Sequence, residues 1–297
     1  MRVDLSGVTK RFSRVTALDG VTLQIPAGRK VALIGPNGSG KSTLTRVVMG
    51  MLACEGKVLL DGRSPFEERA DLAAQMAYVP QVAPQLAAAV GEVVQLVSVV
   101  RGLDPDRVRE TAARLELDLR EIARRPVRAL SGGMRQKLLI ALALSAGASL
   151  LVLDEPTASL DAGARQRFFD LFHGAASSAT LLLCSHRLEE VRNLVDHVVV
   201  LEGGRVAYDG PVSEFLHGKA YGVVEVYVAG EGAAEPLRAL GFTPGAPGAW
   251  VKTVAHGEKG ALVRAALSAA DGALTNILVR DLETVETAPG NREAGRG

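Results

Sequence analysis

Short runs of β-branched and aliphatic residues alternate with segments of helical periodicity from Met1 to about His217. This alternation is typical of an α/β domain with a largely parallel sheet. The predicted strands are Val21–Ile25, Val31–Ile34, Leu150–Leu153, Thr180–Cys184 and Val198–Leu201.

Strand signals disappear between Val90 and Ala129. In that stretch apolar residues such as Val108, Ala112 and Leu115 recur at helical spacing among Arg and Glu. Apolar residues three to four positions apart predict an amphipathic helix. We therefore expect a helical insert between the strands of the α/β domain.

The pattern changes after residue 218. Two helical segments now lie between three strand-like runs, which predicts a small α+β accessory domain at 218–288. The predicted elements are Val223–Val228, Glu235–Leu240, Trp250–Val254, Glu258–Ala270 and Leu274–Val279. The Gly/Arg-rich residues 289–297 are expected to form a flexible tail.

The composition, with 47% hydrophobic and 23% charged residues, is that of an ordinary globular protein. A net charge of +1, from 34 basic and 33 acidic residues, argues against an electrostatic nucleic-acid binder. The two cysteines lie far apart, which fits a reducing compartment. The longest strongly apolar uncharged run, Leu138–Leu153, has 16 residues. A bilayer span needs roughly 20, so we expect a cytoplasmic chain without one.

A glycine-rich loop follows the run that ends at Ile34 and precedes a helical segment. Its sequence, Gly-Pro-Asn-Gly-Ser-Gly-Lys-Ser-Thr, matches the phosphate-loop pattern in the required strand-loop-helix context. The glycines let backbone N–H groups converge on phosphate oxygens, and the following helix adds its dipole. Lys41 is placed to neutralise the β- and γ-phosphates, Ser42 to ligate Mg²⁺ and Thr43 to contact the α-phosphate. The predicted nucleotide ligands here are Gly35, Asn37, Gly38, Ser39, Gly40, Lys41, Ser42 and Thr43.

Phe12 lies upstream of this loop in a chain with few aromatic residues. A nucleotide base needs an aromatic face on which to stack. Phe12 is therefore either the adenine platform or a core residue at a strand edge, and the sequence alone leaves both interpretations open.

Asp154 and Glu155 directly follow four apolar residues. This is the pattern of a buried strand that carries carboxylates to the sheet edge where α/β proteins bind ligands. Asp154 is predicted to hold Mg²⁺, and Glu155 to act as general base toward an attacking water. The alternative is that the two acids cap the next helix.

Ser131, Gly132 and Gly133 precede a long apolar helix. A hydroxyl and free N–H groups at a helix start make an exposed anion site that lacks a lysine. The same residues are also consistent with an ordinary helix N-cap.

Several motifs occur in one order along residues 1–217. They are the phosphate loop, Gln81 in Tyr-Val-Pro-Gln, Leu-Ser-Gly-Gly-Met-Arg-Gln, Leu-Leu-Val-Leu-Asp-Glu-Pro, Ser159-Leu160-Asp161 and Ser185-His186. This order resembles the ATP-binding subunit of ABC transporters. The resemblance implies a P-loop NTPase cassette at 1–217 with a RecA-like parallel sheet, an antiparallel β subdomain and a helical subdomain at about 82–145.

The resemblance also implies that two cassettes pack head to tail around ATP and Mg²⁺. The signature Ser131, Gly132 and Gly133 would then contact the ATP held by Lys41 of the partner subunit, and Asp161 would communicate across the dimer. Within one chain, Phe12 fits the adenine-stacking position, Gln81 would touch Mg²⁺ and the attacking water, and His186 would contact the γ-phosphate. For a lone histidine after a strand, the alternative is an ordinary structural residue.

The partners implied are a second copy of the chain and a separate membrane permease, whose coupling helix would dock on the helical insert. The chain would then lie on the inner face of the cell membrane. The carboxy-terminal domain and Asp281-Leu282-Glu283 resemble ATPase subunits of exporters, whereas Val90-Gly91-Glu92-Val93-Val94 resembles metal-chelate importers. A soluble ABC ATPase acting on chromosomes or ribosomes is disfavoured, because the chain has neither a long coiled-coil insert nor a basic linker between two cassettes.

Overall fold

The structure, a computed structural model, describes residues 1–13, 15–176, 178–219, 221–230, 232–244, 248–255, 258–270 and 272–281. Tertiary contacts divide the chain into two compact units. The first comprises 1–185 and 190–209, and the second comprises 186–189 together with the residues from 210 onward. The contacts thus divide at 209/210, and the sequence-based domain boundary at 217/218 stays a prediction.

Nine strands and seven helices form up to residue 211 in the part of the chain that the structure describes. They are β1 (Val3–Phe12), β2 (Val15–Ile25), β3 (Lys30–Ile34), α1 (Lys41–Val48), β4 (Glu55–Leu60), α2 (Arg69–Ala73), β5 (Met76–Val79), α3 (Val90–Arg101), α4 (Pro105–Arg114), α5 (Gly132–Ser145), β6 (Leu150–Asp154), α6 (Ala162–Ala175), β7 (Thr180–Cys184), α7 (Leu188–Leu194), β8 (His197–Glu202) and β9 (Arg205–Pro211).

Six strands form the central sheet in the order β5-β6-β7-β3-β8-β9. The pairings β5–β6, β6–β7, β7–β3 and β3–β8 are parallel, with Leu33 opposite Cys184 in the middle of the sheet. Every residue of β6 and β7 is buried, which explains their uninterrupted apolar sequences. The loops that follow β3, β5, β6 and β7 all leave the sheet at its carboxyl edge.

A smaller antiparallel sheet has the order β2-β1-β4, with Val3 opposite both Ile25 and Leu60. Its inward residues Leu5 and Val8 pack in the same hydrophobic cluster as Leu33 of the central sheet. The two sheets therefore share one core. The RecA-like sheet and the antiparallel subdomain that the resemblance implied are both confirmed.

The predicted helical insert is confirmed as well. Asp104 caps α4 by accepting a hydrogen bond from the N–H of Asp106, and Pro105 occupies the first helical position. Val108 and Ala112 are fully buried on the inner face of α4, which packs against α5. A single 3₁₀ turn at Val127–Ala129 leads into the segment that precedes α5.

The described residues between 212 and 281 form an α+β fold. Its elements are α8 (Val212–Lys219), β10 (Tyr221–Val228), α9 (Ala234–Ala239), β11 (Thr243–Pro244), β12 (Ala249–Ala255), α10 (Lys259–Ala269) and β13 (Leu274–Asp281). The antiparallel sheet has the order β11-β12-β10-β13. The chain order βαββαβ with this sheet order is the split βαβ, or ferredoxin-like, arrangement.

The core of this α+β fold is formed by Val226, Trp250, Leu237 and Leu262, which join the sheet to α9 and α10. The predicted α+β character is thus confirmed, with element ends within two residues of those expected. Leu282, Glu283 and the predicted tail at 289–297 lie outside the described residues. None of the described helices is long and apolar enough to cross a membrane.

Candidate nucleotide-binding site

The phosphate loop joins β3 to α1, and its backbone geometry requires glycine at both ends. Gly35 and Gly40 have φ angles of 153° and 104°. A Cβ atom would lie 2.2 Å from the carbonyl oxygen of Leu201 at Gly35, and 2.4 Å from that of Ala17 at Gly40. Any side chain at these positions would collide with backbone, so the loop has to be glycine for packing as well as for its conformation.

Lys41 is the first residue of α1, and its ammonium group turns back into the loop. The Nζ atom donates hydrogen bonds to the carbonyl oxygens of Gly35 at 2.6 Å and Pro36 at 3.0 Å. The start of α1 lies directly behind the loop, so that the helix dipole and the lysine charge act on the same small region. This is the arrangement that binds a polyphosphate.

The other predicted ligands of the loop differ in exposure. Asn37 and Gly38 are exposed at the tip of the loop. Ser42 in α1 is also exposed, whereas Thr43 is half-buried. Ser39 is buried, and its N–H donates to the carbonyl oxygen of Pro36 at 3.1 Å. Ser39 therefore shapes the turn, and its predicted contact with nucleotide stays a prediction.

Asp154 ends β6 and is 7% exposed. Burial raises the pKa of Asp154 above its usual value, and the neighbouring Glu155 charge acts in the same direction. Lys41, Arg46 and a hydrogen bond from Ser42 act in the opposite direction. A desolvated carboxylate beside a hydroxyl gives two hard oxygen donors, which fit Mg²⁺.

Glu155 has an unusual backbone for a residue with a side chain. Its φ is 47°, in the left-handed region, and its N–H donates to the carbonyl oxygen of Cys184 at 2.8 Å. The residue is as buried as Asp154. A non-glycine residue holds this conformation only when its surroundings fix it, and such positions concentrate at functional sites.

The signature residues lie at the amino end of α5. Ser131 is exposed and caps the helix, with its Oγ accepting a hydrogen bond from the N–H of Met134 at 3.2 Å. Gly132 and Gly133 form the first turn, and a Cβ on Gly133 would be 3.0 Å from the carbonyl oxygen of Ser159. The capping interpretation is therefore confirmed, and the contact with a partner's nucleotide stays a prediction.

Asp161 also caps a helix. Its Oδ1 accepts a hydrogen bond from the N–H of Ala164 at 2.8 Å at the start of α6, and this bond holds the pKa of Asp161 below its usual value. The carboxylate is exposed. The predicted role of Asp161 across a dimer would use the part of this carboxylate that is exposed.

Three further predicted site residues are Phe12, Gln81 and His186. Phe12 ends β1 and is 44% exposed, with the Lys10 ammonium 5.3 Å from its ring centroid. The exposure excludes the core interpretation and leaves ring surface on which a base can stack. Gln81 is exposed two residues after β5. His186 follows Ser185 at the end of β7 and belongs to the second compact unit, so its approach to nucleotide stays a prediction.

Three buried polar residues beside Glu155 had no role assigned from the sequence. Gln136 of α5 donates its Nε2 to the carbonyl oxygen of Pro156 at 3.0 Å, and the Thr157 hydroxyl donates to the carboxylate of Glu190 in α7. All three side chains are at most 2% exposed. Gln136 could have been identified from the sequence, because it ends the signature motif. Thr157 and Glu190 lie outside the motifs, so the sequence gives no signal for them.

Comparisons with known proteins agree with this geometry. The family model described as ABC transporter matches residues 18–158. The Nod factor export ATP-binding protein I of Ralstonia nicotianae is 34% identical, over 76% of this chain and 72% of the relative. A nickel import ATP-binding protein of Rhodobacter capsulatus is 35% identical, over 72% and 90% of the two chains.

A solved structure, described as the ATP binding subunit of an ABC transporter, superposes with a TM-score of 0.65 at 25% identity. It covers 72% of this chain and 92% of its own. The phosphate loop, the paired acids and the signature helix found here thus occur in a chain whose relatives are named as ATP-binding proteins of both export and import systems. The chain belongs to the ABC transporter family and is one of its ATP-hydrolysing, ATP-binding subunits.

Proposed function

We propose that two copies of this chain bind two ATP molecules at shared sites, hydrolyse them, and drive a separate permease that exports its substrate. The observation that carries the proposal is the meeting of Lys41, Ser42 and Asp154 beside the strained Glu155 at one edge of the parallel sheet. A cationic loop and two acids at this edge are the parts that phosphoryl transfer needs.

In this proposal each predicted site residue has its own role. The loop N–H groups and Lys41 hold the β- and γ-phosphates, and Phe12 stacks on the adenine. Ser42, Asp154 and Gln81 would hold Mg²⁺, which would neutralise charge on the phosphates. The Glu155 carboxylate accepts a proton from the attacking water, whose oxygen bonds to the γ-phosphorus as the bond to ADP breaks. His186 would orient that water.

The site is incomplete within one chain. Ser131, Gly132 and Gly133 present a helix start without a lysine, so they need a phosphate that is held elsewhere. We place there the γ-phosphate held by Lys41 of the partner subunit, with Asp161 at the same interface. Two identical half-sites related by a two-fold axis then close into a dimer with two ATP molecules between the copies.

The permease interface is supported by an apolar surface on the helical insert. Leu96, Val99 and Val100 lie on one face of α3 and are 64%, 69% and 74% exposed. Large exposed apolar groups at adjacent positions mark interaction sites. We assign this face to the coupling segment of a permease, which would hold the chain at the inner face of the cell membrane. A nucleic-acid partner is not part of the proposal, because the net charge is only +1.

The catalytic part of the proposal is tested with Glu155→Gln. The variant is expected to bind ATP as the wild type does, to lose turnover by about 100-fold or more, and to accumulate an ATP-dependent dimer on size-exclusion chromatography. Hydrolysis at the wild-type rate would show that Glu155 is not the base.

The direction of transport is tested in vesicles that contain the chain and its co-purified permease, with the ATPase subunits facing outward. An exporter moves compounds from the ATPase side into the lumen. ATP-dependent accumulation of compounds from a cell extract, measured by mass spectrometry, is the expected result. ATP-dependent loss of preloaded compounds would instead favour an importer, the direction in the name of the nickel import relative.

A further inference from the structure

The segment that follows β6, residues 155–160, is held by two side chains from distant parts of the sequence. We call it the base loop, because it begins with Glu155. Gln136 reaches it from α5 through the carbonyl oxygen of Pro156, and Glu190 reaches it from α7 through the hydroxyl of Thr157. The two bonds fall on the two residues directly after Glu155.

These bonds are buried, which makes them informative. Thr157 and Glu190 are fully buried, and Gln136 is nearly so. Burying an amide or a carboxylate is costly unless hydrogen bonds satisfy it, and an apolar side chain of the same size would fill the space at lower cost. The two bonds tie the backbone at Pro156 to α5 and the side chain of Thr157 to α7.

The two bonds lie next to the strained backbone at Glu155. On its amino side the N–H of Glu155 is bonded to the carbonyl oxygen of Cys184, and on its carboxyl side the next two residues are held by Gln136 and Glu190. With φ at 47°, the backbone would relax to a more common conformation if one side were released. The carboxylate would then move away from the attacking water.

Resting on the proposed function of Glu155 as base, we propose that Gln136 and Glu190 are positioning residues, which hold the base loop so that the Glu155 carboxylate stays aligned with the γ-phosphate. Gln136 and Glu190 contact the base loop through these two hydrogen bonds. Their effect is therefore on the rate of hydrolysis within the bound complex and not on ATP affinity.

The test uses two variants that keep side-chain volume and remove one bond each, Thr157→Val and Gln136→Met. Each is expected to lower kcat by about 10-fold, because a shift of about 1 Å at the reacting groups has effects of this size or larger. The dissociation constant for a fluorescent ATP analogue should stay within about 2-fold of the wild-type value. Thr157→Ser restores the hydroxyl and should recover most of kcat.

Ser145→Ala is the matched control for lost stability. Ser145 is equally buried in α5, and its Oγ bonds to the Thr111 hydroxyl at 3.0 Å, away from the base loop. The control should lower the melting temperature as the test variants do, with kcat per folded molecule unchanged. If Thr157→Val and Gln136→Met behave like this control, the two bonds are structural only and the inference is wrong.

A Glu155→Gln background separates this inference from the proposal on which it rests. There, Thr157→Val should cause no further loss of turnover, because the base that it positions is already absent. A further loss would show that Thr157 acts by another route. If Glu155→Gln itself keeps full activity, the proposed function fails, whereas loss in Glu155→Gln with normal kcat in both test variants overturns the positioning role alone.

Discussion

Asp154 and Glu155 are adjacent acids with the same small exposure, and their surroundings separate their roles. Asp154 lies with Ser42, Lys41 and Arg46, and its carboxylate is desolvated at the end of β6. Glu155 is held by its backbone in a strained conformation. A desolvated acid among hydroxyl and cationic groups suits ion binding, and a rigidly placed acid suits proton transfer.

The raised pKa of Asp154 has a consequence for stability. The folded chain binds the proton of Asp154 at a higher pH than the unfolded chain does, so this residue lowers the free energy of unfolding as pH rises above its usual pKa. Asp154→Asn removes that charge. Without nucleotide, the variant should therefore melt at a higher temperature than the wild type at pH 7, and the difference should shrink toward pH 4.

The same Asp154→Asn variant should lose Mg²⁺-dependent ATP turnover by about two orders of magnitude, because it removes the carboxylate that is proposed to hold Mg²⁺ beside the transferring phosphate. Thermal unfolding across the pH range and steady-state ATPase assays measure the two effects. A variant that is neither more stable nor less active would contradict the placement of this carboxylate.

Phe12 gives a second prediction for a single residue. Its exposed ring is expected to stack on adenine, and a well-placed aromatic contact is worth about 1 kcal/mol. Phe12→Ala should therefore weaken ATP binding about 5-fold, as measured by fluorescence titration, whereas Phe12→Tyr should not. Phe66→Ala is the matched control, because Phe66 is another exposed phenylalanine. Equal effects of the two alanine variants would exclude a specific stacking role.

Sequence spacing predicts the candidate phosphate and Mg²⁺ ligands but not the residues that hold the base loop. Lys41, Ser42 and Asp154 stand in motifs whose chemistry requires them. Thr157 and Glu190 are 33 residues apart and meet only in the folded chain, and a short sequence pattern carries no information on that contact. The strain at Glu155 is likewise visible only in three dimensions.

At the level of elements, whether a strand can be predicted from the sequence depends on how it is buried. The fully buried β6 and β7 read as uninterrupted apolar runs and were predicted within one residue. The strands β1, β4, β5 and β9 were not predicted. In β1 and β9 exposed residues alternate with buried or half-buried ones, and in β1 the register also shifts on either side of Val8. A mixed pattern of this kind resembles a loop until the partner strand is known.

The exposed face of α3 leads to a prediction about the permease. A charged side chain in the centre of an apolar interface is left without solvent or a partner, so Val99→Glu should lower the amount of permease that co-purifies from membranes by about 10-fold. ATP hydrolysis by the isolated chain should not change. Leu267→Glu, at an exposed leucine of α10, is the control and should keep the permease. Normal recovery with Val99→Glu would exclude α3 as the docking surface.

On the scale of the whole molecule, the two compact units differ in what the sequence reveals about them. The first unit carries ordered motifs whose chemistry indicates that it binds ATP. The second is a split βαβ fold around Trp250, and its sequence identifies the elements without indicating a ligand. Ligand-binding function has to be argued from a site and not from a fold, so the motifs of the first unit carry the functional argument.

The proposed dimer is argued from one feature of the first unit. Ser131 caps a helix start at an exposed surface, and the motif to which it belongs contains no lysine. Ser131→Arg should fill that anion site with a large cation. In the Glu155→Gln background it is expected to abolish the ATP-dependent dimer on size-exclusion chromatography, with ATP affinity of the monomer unchanged. A large loss of monomer affinity would place Ser131 in the pocket of its own chain.

Mixing two inactive variants tests the shared site directly. Lys41→Ala lacks the phosphate-binding ammonium, and Ser131→Arg lacks the signature surface, so neither homodimer contains a complete site. In a mixed dimer, Lys41 of the Ser131→Arg chain faces the intact signature of the other chain, which restores one of the two sites. The mixture should therefore hydrolyse ATP well above the background rate of either variant alone, and below half of the wild-type rate because one of the two sites in a mixed dimer stays incomplete. If each site were built within one chain, no mixture of these variants would contain an intact one, and the activity would stay at background.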